Sequence, residues 1–223
     1  MNEKVIITID GPAASGKGSL SKVLAQDLNL YYLETGIFYR IFAKEMLGKD
    51  HNVKQLSQVI SKLKKEKIDK KLRNIENFYT NEISELASNL AKKAIVRKFV
   101  AKIQKQYLNT FPSQYRGVIL EGRDCGTVIA PNADIKIFLT ADLYVRAKRR
   151  FEQLNKKSKK ISLESVMNDL CIRDSRDKER KLSPLKKAED AFLLDNTEYS
   201  FLETINIVKN IIFSKIPTLK INI

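Results

Sequence analysis

Val5-Ile6-Ile7-Thr8-Ile9-Asp10-Gly11-Pro12-Ala13-Ala14-Ser15-Gly16-Lys17-Gly18-Ser19 opens the chain after four residues. Val5 to Ile9 reads as a short buried strand, and the periodicity from Lys17 to about Asp27 reads as a helix. Between them, Gly11 and Gly16 let the backbone turn so that successive N–H groups point inward. Such a turn at a helix N-terminus is a ready site for a phosphate. Lys17 then supplies a mobile positive charge for the outer phosphates of a nucleotide. A turn that needed glycine for geometry alone would not require lysine directly after the second glycine. The general pattern has Ser or Thr next after that lysine. Here Gly18 intervenes and the hydroxyl moves to Ser19, which assigns Ser19 to nucleotide binding and not to a metal.

Working outward, further short apolar runs alternate with helical periods. Tyr31–Leu33, Gly117–Glu121, Ile135–Leu139 and Ala191–Leu194 read as strands. Val53, Leu56, Ile60 and Leu63 predict an amphipathic helix with a lysine-rich outer face. Ile83, Leu86, Leu90 and Ala94, continuing to Ile103, predict one long helix. Leu143, Ala147, Phe151 and Leu154 predict another, as does the stretch from Leu163 to Arg180. Phe201, Ile205, Val208 and Ile212 mark the last. Continuous apolar strands alternating with helices predict one α/β domain, a doubly wound parallel sheet with helices on both faces. Residues 36–110 and 150–181 read as helix-rich excursions from that sheet.

Composition removes several classes. The chain has 223 residues, 43% hydrophobic and 30% charged, so it is neither disordered nor built to span a bilayer. No apolar run approaches the ~20 residues of a membrane helix, and the N-terminus carries no signal-peptide pattern. Cys125 and Cys171 are too few for a disulfide framework or a four-ligand zinc site. A cytoplasmic enzyme is the expectation. The net charge of +15 fits either a polyanionic partner or a lysine-rich background.

Arginine placement sharpens that choice. There are eleven arginines against thirty lysines. Arg40 lies one turn after Thr35-Gly36 at the end of the second strand, and Arg123-Asp124 follow directly on the third. Ligands of open α/β sheets bind at the carboxyl ends of strands, so these positions face the same crevice as the phosphate loop. Arg173, Arg176, Asp177 and Arg180 share one helix face, and Arg146, Arg149 and Arg150 cluster similarly. Six of eight glycines, at 11, 16, 18, 36, 122 and 126, sit in these turns. Rigid forked donors suit a second phosphate better than lysine does. The reaction suggested is phosphoryl transfer between two nucleotides.

At this point the sequence resembles the bacterial cytidylate kinases of the P-loop nucleoside monophosphate kinase group, from Val5 to the final helix. The resemblance rests on Ile7–Pro12 with the loop, Glu34-Thr35-Gly36-Ile37-Phe38-Tyr39-Arg40, Glu121-Gly122-Arg123-Asp124-Cys125-Gly126-Thr127-Val128, and Arg173-Asp174-Ser175-Arg176-Asp177 with Arg180. It implies a P-loop kinase core, a nucleotide-binding insertion at about 36–110, a helical lid at about 150–181, and transfer of phosphate from ATP, with Mg²⁺, to CMP or dCMP. Gly11, Pro12, Ala13, Ala14, Ser15, Gly16, Lys17, Gly18 and Ser19 would hold ATP. Thr35, Arg40, Arg123 and Arg180 would surround the CMP phosphate, Ser88, Arg97 and Asp124 would read cytosine, and Arg173 and Asp177 would hold the ribose. Arg149, Arg150 and Arg176 would belong to the lid, and Lys17, Arg123, Arg176 and Arg180 would carry catalysis. A monomer with no nucleic-acid or membrane partner is implied. Glu34 stands where Asp is usual, and residues 48–80, with Ile75 to Tyr79, match the family poorly.

Overall fold

The computed structural model describes residues 4–66, 68–72, 78–155 and 161–220. Five strands, β1 (Val5–Asp10), β2 (Tyr31–Glu34), β3 (Gly117–Gly122), β4 (Ile135–Thr140) and β5 (Phe192–Asp195), form one sheet in the order β2-β3-β1-β4-β5. Every pairing is parallel. The apolar runs explain this. Val118, Ile119 and Leu120 are all fully buried, so β3 must be covered on both faces, as crossover helices cover a parallel sheet. Helices α1 (Lys17–Asp27) and α9 (Phe201–Lys215) contribute Leu20, Leu24, Val208 and Ile212 to the same core as Ile7, Ile9, Ile137 and Leu139. The edge strand β5 is different: Leu194 is buried while Leu193 is 62% exposed. The doubly wound α/β architecture expected from the sequence is the one observed.

The chain divides into two compact units, Met1–Glu34 with Thr110–Ile223, and Thr35–Asn109. The first holds the sheet. It also holds α7 (Leu143–Asn155) and α8 (Leu163–Glu179), which pack through Ala147, Phe151, Leu154, Val166 and Leu170. The second holds α2 (Gly36–Met46), α3 (Val53–Lys65), α4 (Ile68–Leu72), α5 (Asn81–Leu90) and α6 (Ala94–Thr110), the last ending at the boundary.

Two expectations for the second unit need correction. Val53 is not part of the buried stripe of α3; it sits in the first turn and is 70% exposed, and Val59 joins Leu56, Ile60 and Leu63 instead. The single long helix is two helices. The break at Ala91-Lys92-Lys93 contains neither glycine nor proline, so nothing local announces it. It is held from the next helix: Arg97 Nε donates to Ala91 O at 3.0 Å, capping the last turn of α5. Of the poorly matched stretch, residues 73–77 lie outside the described residues, as do 156–160 of the lysine run.

Candidate active site

The loop between β1 and α1 is shaped by contacts that admit little substitution. A Cβ on Gly11 would lie 2.0 Å from Leu139 O, so alanine there would drive the loop off β4. Gly16, at φ 91°, and Ala14, at φ 59°, both adopt the left-handed region. Lys17 starts α1 and is 5% exposed. Its Nζ donates to Pro12 O at 2.9 Å and lies 3.6 Å from Glu121 Oε1. Burial, with the Arg123 charge adding to it, pushes the ammonium down to about 7. The hydroxyl of Ser15 is buried with no hydrogen-bond partner among the described residues, while Ser19 is exposed. A buried hydroxyl without a partner among the described residues and a desolvated amine, both on this tightly held turn, are donors that a phosphate satisfies.

Beside the loop, Asp10 closes β1 and is 5% exposed. Its two oxygens accept from Cys125 N at 2.9 Å and Gly126 N at 2.8 Å. These amides open a five-residue π turn, Cys125–Ile129, a form often found at functional sites. Burial outweighs the two hydrogen bonds and, with Asp124 nearby, raises the Asp10 carboxyl to about 6. In the unfolded chain it titrates near ~3.9, so the folded state binds the extra proton between pH 4 and 6, and stability falls as pH rises through that window. Asp10→Asn offers one acceptor where two amides need one each, and it cannot titrate. Its Tm deficit is therefore expected to be larger at pH 4.5 than at pH 7, measured by thermal melts of both proteins. An equal deficit at both pH values would mean that Asp10 is ionised throughout.

Of the arginines expected at strand ends and on α8, Arg123, Arg173 and Arg180 converge in the first unit, Arg180 standing just past the end of α8 in extended backbone and not on its face, while Arg40 belongs to the second unit. Arg123 Nε donates to Asp177 Oδ2 at 3.0 Å, and its NH1 to Gly122 O at 3.1 Å. Arg180 reaches the other oxygen of Asp177 at 3.4 Å and lies 3.6 Å from Asp124 Oδ1. Arg173 bears on both Lys17 and Asp177 by charge. Burial works against the Asp177 carboxylate, but Arg123, Arg180 and Arg173 outweigh it and hold its pKa below the ordinary value. Arg123 is likewise opposed by burial and raised by Asp177 and Glu121. Lys17, Glu121, Arg123, Asp124, Arg173, Asp177 and Arg180 thus form one charged cluster beside the phosphate loop. Its three guanidinium groups are fixed forked donors, the geometry that suits a phosphate.

The three arginines expected to belong to a lid differ among themselves. Arg149 donates to both Oδ1 and O of Asn196, at 3.0 and 2.9 Å, and Asn196 Nδ2 donates to Ser15 O at 3.2 Å. Arg149 is thereby joined to the loop through one residue. Arg150 contacts Gln153 on its own helix at 3.5 Å. Arg176 is partly exposed on α8.

In the second unit, Thr35 is buried and its carbonyl accepts from Gln104 Nε2 at 2.8 Å. Arg40 donates to Ser84 Oγ at 2.6 Å and Phe78 O at 3.2 Å, with its guanidinium 4.9 Å from the Tyr79 ring. Arg97 is 6% exposed and lies 5.4 Å from the Tyr39 ring. Its Nε bond returns it to the end of α5, the helix that carries Ser88. The Ser88 hydroxyl is buried with no partner among the described residues, a donor–acceptor suited to the edge of a base.

Comparison with known proteins now narrows the reading. The cytidylate kinase family model matches residues 7–214. The cytidylate kinase of Thermosipho africanus is 40% identical over 221 residues, covering 94% of this chain and 95% of that protein. That of Rickettsia akari is 40% identical over 210 residues, with 94% and 92% covered. The chain belongs to the cytidylate kinase family. It is therefore a kinase of the class that phosphorylates cytidylate. A crystal structure of an uncharacterized protein from Eubacterium ventriosum superposes with a TM-score of 0.57 at 12% identity, over 95% of this chain and 99% of that one, and shares the fold.

The residues to which the sequence assigned no role are buried polar ones that hold others in place, Asp10, Asp174, Asn196 and Glu121, and Arg146, expected to cluster with Arg149 and Arg150, is buried and bonded to Asp174 and the Ala13 carbonyl. Asp10, Asp174 and Glu121 all stand inside the motifs that carry the resemblance, Asp10 directly before the loop. That adjacency was the available signal.

Proposed function

We propose that this chain transfers the γ-phosphoryl group of ATP to CMP and dCMP, giving CDP and dCDP for pyrimidine nucleotide metabolism. The observation that carries the proposal is the charged cluster of Lys17, Arg123, Arg173 and Arg180, buttressed by Asp177, beside the phosphate loop.

The loop residues 11–19 bind the ATP phosphates, with Arg149 and Arg150 contributing from the lid helices. The nucleophile is an oxygen of the CMP phosphate, already anionic, so no general base is needed. The protein's work is alignment and charge neutralisation. Two like charges at ~4 Å in an effective dielectric of ~20 repel by ~4 kcal/mol. Arg123 and Arg180, with Thr35 and Arg40, offset that repulsion on the acceptor phosphate. Lys17 and Arg176 face charge that spreads over the transferred group. Arg173 and Asp177 hold the ribose, and Ser88, Arg97 and Asp124 pair with the amino group, N3 and O2 of cytosine. Mg²⁺ supplies further charge neutralisation when it enters with ATP. Among the described residues no group of three or more His, Cys, Asp or Glu side chains is arranged to hold a metal.

No helix among the described residues is long and apolar enough to cross a membrane. A monomeric cytoplasmic enzyme acting on free nucleotides, not on nucleic acid, completes the reading. The test is a coupled ADP-release assay over CMP, dCMP, UMP and AMP. CMP and dCMP are expected to exceed the others in kcat/KM by ~10²-fold or more, because a site built to pair polar atoms rejects analogues that lack them. Equal turnover of UMP or AMP would overturn the cytosine assignment. An RNA affinity that falls steeply with salt would favour a nucleic-acid-binding role instead.

A further inference from the structure

Two buried charged residues outside the proposed contact set clamp the phosphate loop itself. Asp174 of α8 and Arg146 of α7 are each 7% exposed. Asp174 Oδ1 accepts from Ala13 N at 3.2 Å, and its Oδ2 accepts from Arg146 NH1 at 2.5 Å. The same NH1 donates to Ala13 O at 3.0 Å, and Arg146 Nε donates to Ala141 O at 2.9 Å. Ala13 and Ala14 also pack into the apolar seam between the two helices, against Ala147, Val166 and Leu170.

These contacts fix two consecutive peptide planes. The Pro12–Ala13 peptide is held by its N–H on Asp174, while its carbonyl receives the Lys17 amine at 2.9 Å. The Ala13–Ala14 peptide is held by its carbonyl on Arg146. The next residue, Ala14, is a non-glycine at φ 59°, a conformation that persists only where the surroundings over-determine it. A buried ion pair adds little net stability over an apolar pair of similar volume. Here its remaining polar capacity goes to the loop backbone, so its contribution is geometry.

We infer that Asp174 and Arg146 are positioning residues that set the phosphate loop for the ATP phosphates and fasten the lid helices to it. The inference rests on the reading that residues 11–19 bind ATP.

The experiment is calorimetric titration of a non-hydrolysable ATP analogue with Mg²⁺, and separately of CMP, into wild type and variants, with thermal melts alongside. Asp174→Ala is expected to weaken the ATP analogue at least ~10-fold and to leave CMP affinity within ~2-fold, with Asp174→Asn recovering part of the loss because it retains an acceptor for Ala13 N–H. Because Asp174→Ala strands a buried arginine and can fail to fold, the deciding variant is the double substitution Asp174→Leu with Arg146→Met. It is expected to melt at or above the wild-type temperature yet to bind the analogue as weakly as the single variant. Wild-type affinity in the double variant, or equal losses of analogue and CMP, would overturn the inference. Lys17→Ala is the control. If it leaves analogue affinity unchanged, the ATP reading of the loop fails; if it alone loses affinity, only the positioning role fails.

Discussion

Lys17→Ala is expected to lower kcat/KM for CMP phosphorylation by ~10³-fold or more, with the fold intact. The amine is held beside the loop by Pro12 O and by Glu121 of β3, so a phosphate bound there meets it without reorganisation. Removing a preorganised donor of this kind from a developing charge costs ~10²–10³ in rate, and here the substituent also carries the charge. Stability should move the opposite way. Burial holds the Lys17 ammonium down to about 7, against ~10.4 in the unfolded chain. Between these values the unfolded state binds more protons, so wild-type stability rises with pH across that window, and the penalty of burying the charge is complete below pH 7. Lys17→Met, which keeps the stem and drops the charge, should therefore be inactive and melt higher than wild type, with the larger gain at pH 6 than at pH 9.5. Wild-type turnover in an ADP-release assay would sink the catalytic assignment. A pH-independent difference in Tm would sink the electrostatic one.

Arg123→Ala is expected to be nearly as damaging to activity, again ~10³-fold, the lower end of what a transition-state arginine contributes in phosphoryl transfer. The guanidinium is fixed by Asp177 and the Gly122 carbonyl, and a fork so fixed pays little entropy to meet a phosphate. Arg123→Lys should recover at most ~10-fold of the loss, since a point charge cannot keep both contacts. Folding suffers less than removal of an ion-pair partner usually implies, because Asp177 keeps Arg180. Steady-state kinetics with thermal melts check both parts; full activity in Arg123→Ala would remove Arg123 from the site.

What was readable in the sequence was what depends on neighbours along the chain. The strand-loop-helix of residues 5–27 and the arginine positions at strand ends follow from local chemistry, and the parallel sheet follows from its apolar runs. The break at Ala91–Lys93 was not readable, because the group that caps it is Arg97, one turn into the next helix. The exposure of Val53 depends on where α3 begins to bury its stripe. The roles of Asp10 and Asp174, and the inward placement of Arg146, were not readable because a buried charge is recognised only by the backbone amides and carbonyls it meets. Those lie 115 residues from Asp10 and 161 from Asp174. The charge of +15 also divides on inspection: Lys64 and Lys65 lie on the exposed face of α3, whereas the arginines of the cluster are held by carboxylates.

The strand order carries a consequence for how the chain is made. β3 lies between β1 and β2 and is, among the described residues, the only strand hydrogen-bonded to β2. A nascent chain therefore carries no native strand pair until Gly117–Gly122 has emerged. At ~5–20 residues per second, the first strand waits several seconds or more after synthesis with its apolar run unpaired. The Thr35–Asn109 unit is complete by then. Nucleation of the sheet is thus a late event on the ribosome, and chaperone demand should be concentrated in the interval before residue 122 leaves the exit tunnel.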